Sequence, residues 1–540
     1  MSNNKYQPYL WIAGLGALTY LWTIFFGFTY FDDQTLILDN LFFLKNLANI
    51  PAAFVTEVFH MLHSSAAYYR PLLTLSFMFD AQIGGSSPFV YHLTNVVIHI
   101  ITSCLVFVFL QKIKIRKEMS FLFSIIFAVH PVLTQAVAWI PGRNDSLLTL
   151  FTLLSFIFFI NFVEFGKVKN AVWHLVFFAA AIFTKESGLL IPGVILLYLF
   201  LFQKRQMLSV KLYIAFAWAG TVGVWYLLRV IALQNPIKYT LTEIVKSIYL
   251  GLPAVVFGLG KVFFPVNLSV LPIIQDSTLI WGFIAIFVII DSIVFSKNRN
   301  HKLILFGIVW FIVFLLPSFI RPGTEYVPDF LEHRIYLPII GLFMILSEVE
   351  FVKKFSFSNK AGVLAFGILT SFFIVINFNH TWVFRDRLAF WQSAVLSSPH
   401  HPLAHKNLGA MYYLDGNLDN AETEYEKTLE LNSQEPMIHN NLGLIYAARG
   451  EVKKAEDEYK KELGNNPNYD NALFNYGLLL YQEERTQEAE GMWLATLKVN
   501  PDYTDVMKNL FVMYYQNKDI EKANYYYSEL QKRGINLQGN

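Results

Sequence analysis

Apolar runs long enough to cross roughly 30 Å of hydrocarbon follow one another through the first two thirds of this chain, and nothing else constrains its fold as strongly. They lie near residues 9–29, 90–110, 119–138, 147–165, 171–184, 188–202, 212–232, 277–295, 303–320, 335–352 and 361–379. In hydrocarbon each backbone N–H and C=O must be satisfied within the segment, so runs of this length are read as helices. The segments 171–184 and 188–202 are short for a span, and 245–265 is a further apolar run outside the eleven. The first run follows a short tail holding Lys5 and has no small-residue cleavage site after it, so it is read as a span rather than a signal peptide. Composition agrees with a bilayer as solvent, since 55% of the 540 residues are hydrophobic and 15% charged, against about a quarter charged in soluble domains. Beyond about residue 400 the apolar runs stop and Asn, Glu, Lys and Tyr take over. The chain is therefore predicted to be all-α, a polytopic membrane domain over 1–380, a connector helix over 381–398 and a second domain over 399–535.

Charge fixes the expected orientation. Lys112, Lys114, Arg116 and Lys117 form one basic loop, Lys167 and Lys169 a second, and Lys204, Arg205 and Lys211 a third. Lys297, Arg299 and Lys302 form a fourth, and Lys353, Lys354 and Lys360 a fifth. All five face the cytoplasm only if the N-terminus is inside and 245–265 does not cross, lying instead as a re-entrant or interfacial segment near 239–265 on the outer face. The loops 30–89, 139–146, 185–187, 233–276 and 321–334 then lie outside, as do the C-terminal residues. A net charge of +2 argues against a nucleic-acid partner. The single cysteine, Cys104, lies inside an apolar run and excludes a disulfide framework.

The second domain repeats with a period of 34, as in Asn407-Leu408-Gly409, Asn441-Leu442-Gly443, Asn475-Tyr476-Gly477 and Asn509-Leu510-Phe511. Ala421, Ala455, Ala489 and Ala523 keep the spacing, and so do Tyr425, Tyr459, Trp493 and Tyr527. This is the tetratricopeptide (TPR) signature, about four helix pairs stacked as an α-solenoid. Asn440, Asn471 and Tyr413 are candidates for a concave face that holds an extended peptide.

Polar residues in the membrane half concentrate on the expected outer side. Asp32 and Asp33 follow the first span, and ionisable groups at such a depth point to function. A carboxylate there can act as a general base toward a hydroxyl. Arg70, Arg143, Lys185 and Arg334 suit a lipid phosphate, because a guanidinium matches its oxygens with a fork of donors. His92, His130, Asp145, Glu186 and Glu332 are placed as supporting residues. His92, Asn95 and His99 share one helix face, where helix-to-helix hydrogen bonding competes with metal ligation. A carboxylate pair with outward-facing cations suggests transfer of a sugar from a lipid phosphate, stabilised where charge develops on the leaving group.

The motifs resemble those of the TMTC-type protein O-mannosyltransferases, membrane glycosyltransferases of the GT-C fold carrying C-terminal TPRs. The resemblance rests on Phe31-Asp32-Asp33, Tyr69-Arg70-Pro71-Leu72, His92-Leu93-Thr94-Asn95, His130-Pro131-Val132, Gly142-Arg143-Asn144-Asp145, Lys185-Glu186-Ser187-Gly188 and Glu332-His333-Arg334-Ile335-Tyr336. It implies inverting transfer from a polyprenyl- or dolichyl-phosphate sugar, usually mannose, to Ser or Thr hydroxyls of exported proteins. One carboxylate of Asp32 and Asp33 is then the base, with Arg143, Lys185 and Arg334 toward the donor phosphate. No cofactor is expected, a divalent metal being disfavoured where Arg and Lys already compensate a single phosphate. Four repeats are fewer than the family usually carries. The compact loops fit a prokaryotic plasma membrane. A lipid or polysaccharide acceptor and a non-catalytic TPR scaffold are the alternatives.

Overall fold

The computed structural model describes residues 5–62, 68–203, 209–233, 236, 238, 240–320 and 330–535. Among them the chain is all-α, with no strand. It divides into two compact units, Met1–Ser398 and Pro399–Asn540. The helix Arg387–Ser397, expected as a connector, belongs to the first.

Among the described residues of the first unit, seven helices are long and apolar enough to cross a membrane, and Lys117–Val129 with Pro131–Ala138 forms a pair bent by 53° that is an eighth if it counts as one span. Val168–Thr184, Glu186–Phe202 and Ile280–Val294 are shorter apolar helices. The chain is an integral membrane protein. Three of its basic loops, around Lys112, Lys297 and Lys353, gather at one end. Lys112 and Lys114 pair with Glu164 at 3.0 and 3.4 Å, Arg116 donates to the Lys353 carbonyl, and Lys353 pairs with Glu348. Glu348 and Glu350 in turn accept from the backbone N–H groups of Asn300 and Lys297. Of the third basic loop, Lys204 and Arg205 lie outside the described residues, as do 321–329 of the last outer loop.

Two segments depart from simple spans. The segment expected as a span over 335–352 starts just after Glu332, which bonds His380, and reaches Glu348 at the basic end. Between those two residues it forms an α-helix only over Ile339–Leu346, with a separate short helix at Glu350–Lys353. A short helix is tolerated because the segment is buried in protein, where irregular backbone can still be satisfied. Gly341 and Gly307 bring the backbones so close that a Cβ on either would collide with the other's carbonyl oxygen, and Trp310 Nε1 donates to the Leu337 carbonyl. The apolar run at 245–265 is the helix Leu241–Phe263, itself long enough to span. Its C-terminal half lies against Phe319, Phe330 and Ile335, and its Val262 carbonyl bonds His130, all toward the end opposite the basic loops.

The second unit is four helix pairs, beginning with Pro402–Leu414 and Leu418–Leu431 and ending with Thr504–Gln516 and Ile520–Lys532. In the first three pairs the repeating glycine is what lets the two helices close, whereas the fourth carries Phe511 at that position. A Cβ on Gly443 would lie 2.6 Å from the Tyr459 ring, and one on Gly409 2.8 Å from Tyr425. Gly443→Val is therefore expected to destabilise the repeat unit by about 1–3 kcal/mol through overpacking, read as a lowered calorimetric midpoint. Gly464→Val, where a Cβ meets open space, is the control. Asn440 is not a presented residue, because it is buried and accepts from Asn475 at 2.9 Å. Asn471 is exposed and accepts from the Tyr503 hydroxyl.

Candidate functional site

The two adjacent acids are held in different ways. Tyr30 takes a left-handed backbone, φ +56°, which turns the chain back after Thr29. Asp33 fills that turn. It is buried and accepts from the Thr29 N–H at 2.7 Å, the Phe31 N–H at 2.9 Å and the Thr29 hydroxyl at 3.1 Å. Burial raises its carboxyl while these N–H groups pull it down. The Asp32 carboxylate makes no hydrogen bond or ion pair among the described residues. Burial and the neighbouring Asp33 push it up to about 7, against the attraction of Arg70 and Arg334.

The turn is clamped from both sides. Phe31 stacks on Trp139 with centroids 5.6 Å apart, and Trp391 of the Arg387–Ser397 helix donates to the Thr29 carbonyl at 3.1 Å. The Gly27 N–H donates to the Arg385 carbonyl.

Three of the four expected cations share the field of Asp32 and Asp145. Lys185 lies 2.8 Å from both oxygens of Asp145, with His333 Nε2 3.6 Å from one of them. Arg70 lies 3.4 Å from Glu186, whose other oxygen accepts from the Tyr69 N–H. Arg334 donates to the Ser318 carbonyl, and burial draws its guanidinium down to about 10 against the attraction of Asp145 and Asp32. The mutual repulsion of Arg70, Lys185 and Arg334 shows in the lowered Lys185, for which burial is the largest cause. An anion entering beside them would relieve both burial and repulsion.

Arg143 stands apart from that set. It is fully buried, 2.5 Å from Asp80, and donates to Asn95 at 2.6 Å, the Tyr91 carbonyl at 2.7 Å and Ser76 at 3.2 Å. Its donors point at protein, and the Phe77 ring covers its face. Asn95 ties the same knot to the carbonyls of Val137, Trp139 and Ile140. Arg143 thus positions the Trp139 turn and the helix start that carries Asp145.

The supporting residues are mostly structural. His130 bonds Val262 and the Val132 N–H, His92 bonds the Gly27 carbonyl, and His99 bonds Tyr336. Glu332, fully buried, accepts from the Ser269 N–H and pairs with His380. Sequence reasoning missed Asp80, Gln135 and His380. Gln135 accepts from the His333 N–H and donates to the Val270 carbonyl, fixing the strip that holds Arg334. The available signal was a lone polar residue within an apolar helix.

These features define a polytopic all-α membrane protein with a polar, cation-lined site at one end and a C-terminal TPR solenoid. A family model described as dolichyl-phosphate-mannose-protein mannosyltransferase matches residues 71–231, which hold Asp145, Lys185 and Glu186, and a tetratricopeptide-repeat model matches 415–470. The human protein O-mannosyl-transferase TMTC3 is 29% identical over 209 residues, 37% of this chain and 22% of its own. Mouse TMTC2 is 36% identical over 26% of this chain and 17% of its own. The protein O-mannosyl-transferase F38B6.6 of Caenorhabditis elegans is 25% identical over 67% of this chain and 54% of its own. The chain combines a mannosyltransferase-type membrane region with tetratricopeptide repeats and is a homologue of the TMTC proteins, and its alignment spans about a fifth of the length of the first of them.

Proposed function

We propose that the chain is a membrane glycosyltransferase that moves a sugar, mannose by analogy with its relatives, from a polyprenyl- or dolichyl-phosphate donor to a Ser or Thr hydroxyl of an exported protein. The observation that carries this reading is Asp32, a recessed carboxylate without a hydrogen-bond partner among the described residues, set in the field of Arg70 and Arg334. The acceptor oxygen attacks the anomeric carbon as the bond to the phosphate oxygen breaks, and its proton passes to Asp32. The configuration inverts. The lipid phosphate leaves with the bonding electrons, and Arg70, Lys185 and Arg334 stabilise the charge it gains. Phe31 and Trp139, stacked on each other, hold the turn that carries Asp32, and Asp145 orients Lys185.

The basic end faces the cytoplasm in this reading, with the N-terminus inside and the repeats outside a prokaryotic plasma membrane. The repeats hold the acceptor chain.

Purified protein given polyprenyl-phosphate-linked mannose and a Ser/Thr-rich exported protein tests the proposal. Label in protein supports it, label only in glycolipid redirects the acceptor, and no transfer at all removes the reading. A base must be ionised to act, so kcat/KM is expected to fall tenfold per pH unit below about 7, where Asp32 takes up its proton, and to level off above it. A profile flat between pH 5 and 8 would contradict Asp32 as the base.

A further inference from the structure

Among the described residues, two buried N–H groups at the lipid-facing edge of the site have no acceptor. Trp225 and Arg229 are one turn apart near the end of the helix Tyr213–Ala232. Trp225 is 6% exposed, and neither its Nε1 nor the Arg229 Nε has a hydrogen-bond partner. The guanidinium lies 5.7 Å from the indole centroid. Leaving a buried donor unmatched is costly; among the other buried indoles of this unit Trp139 Nε1 shares the lack of an acceptor, and three find one. Trp218 donates to His174, Trp310 to the Leu337 carbonyl and Trp391 to the Thr29 carbonyl.

A bland reading would let Arg229 reach out to the membrane interface. Its Nε is instead buried beside the indole. The position is also informative. The Trp225 ring is 6.4 Å from Tyr69, the residue before Arg70, and the Tyr69 N–H donates to Glu186. Around the rest of the same helix, Tyr226, Leu227, Val230 and Ile231 are exposed, a surface that suits acyl or prenyl chains. A cationic donor and a neutral one, unmatched, thus lie between a lipid-facing wall and the cations of the site. The ligand they fit is an anion that arrives from the bilayer and offers more than one oxygen, which describes a lipid-linked phosphate.

We propose that Trp225 and Arg229 form a docking site for the phosphate of a polyprenyl-phosphate lipid at the lateral edge of the site, beside Arg70. This rests on the donor class given under Proposed function. The pair binds the phosphate on its way to or from Arg70, Lys185 and Arg334, and takes no part in the bond-making step.

The test is binding of undecaprenyl monophosphate to the full-length protein in nanodiscs, with undecaprenol and phosphatidylglycerol as comparison lipids. Arg229→Met removes the charge and Trp225→Phe removes only the N–H. The expected result is about tenfold weaker binding of undecaprenyl monophosphate in Arg229→Met and about threefold in Trp225→Phe, with undecaprenol binding unchanged. Unchanged monophosphate binding in both variants, or a loss confined to phosphatidylglycerol, overturns the proposal. Asp32→Asn separates the two readings, because, with one negative charge fewer beside Arg70 and Arg334, it is expected to bind the monophosphate at least as tightly as the parent protein. Normal docking in a protein that transfers no sugar would fault the transferase reading alone, whereas full transfer with wild-type donor KM in Arg229→Met would fault the docking site alone.

Discussion

Asp32→Asn is expected to lower sugar transfer by roughly 10²–10⁴-fold, the usual worth of a general base, while leaving the unfolding midpoint and the donor KM close to those of the parent protein. The amide has the shape of the carboxylate but cannot take the hydroxyl proton. Asp32 makes no hydrogen bond among the described residues, and the repulsion from Asp33 that its removal relieves offsets the lost attraction to Arg70 and Arg334, so the cost to the fold is small. Asp33→Asn is expected to behave in the opposite way. An amide keeps one acceptor oxygen where the carboxylate served the N–H groups of both Thr29 and Phe31, and one unmatched buried donor costs about 1–3 kcal/mol. Its signature is a lower unfolding midpoint, with any loss of transfer following from displacement of the turn. Parallel assays of transfer and calorimetry on the two variants check this. Transfer that survives in Asp32→Asn but vanishes in a stable Asp33→Asn would exchange their roles.

That division of labour between neighbours was invisible in the sequence, and the reason is local geometry. Asp32 and Asp33 read alike as an acidic pair after a span. They are separated only by the left-handed Tyr30, which turns one carboxylate onto the backbone and leaves the other facing the cations. The 34-residue period, by contrast, was plain, because three of the four repeats set a glycine against an aromatic ring at the same spacing, Gly409, Gly443 and Gly477 meeting Tyr425, Tyr459 and Trp493. Long apolar spans were legible for a similar reason, since hydropathy is a property of consecutive residues. The crossing between Glu332 and Glu348 is only partly a helix because its neighbours, rather than its own length, protect its backbone. Asp80 escaped notice because 30–89 reads as an outer loop, whereas Pro71–Gly84 is a helix that buries that one carboxylate among apolar side chains. Its partner was correspondingly misread. Arg70, Arg143 and Arg334 are equal as letters in outer motifs, and only the packing shows that one of them is already fully bonded.

Arg143→Met supplies the decisive comparison. The substitution leaves Asp80 buried without its cation, and breaking a buried pair by removing one partner costs about 3–5 kcal/mol. Asn95, Ser76 and the Tyr91 carbonyl lose their donor at the same time, so Asn95 is no longer held against the Val137–Ile140 carbonyls. Arg143→Met is therefore expected to lower the unfolding midpoint markedly and to abolish transfer through the shifted Trp139 turn. Asp80→Asn should be milder, because the amide oxygen still accepts from Arg143 while its N–H group can donate to the Thr94 hydroxyl, which bonds the other carboxylate oxygen in the parent protein. Combining Arg143→Met with Asp80→Leu removes both charges, and it should recover about 1–3 kcal/mol relative to the sum of the single effects. A residue that held the donor phosphate would show none of this coupling. Its loss would raise donor KM in a protein of unchanged stability, which is the pattern expected of Arg334→Met or Arg70→Met, whose side chains border the site. Stability and KM measured on Arg143→Met and Arg334→Met together thus separate the arginine that builds the site from the one that uses it.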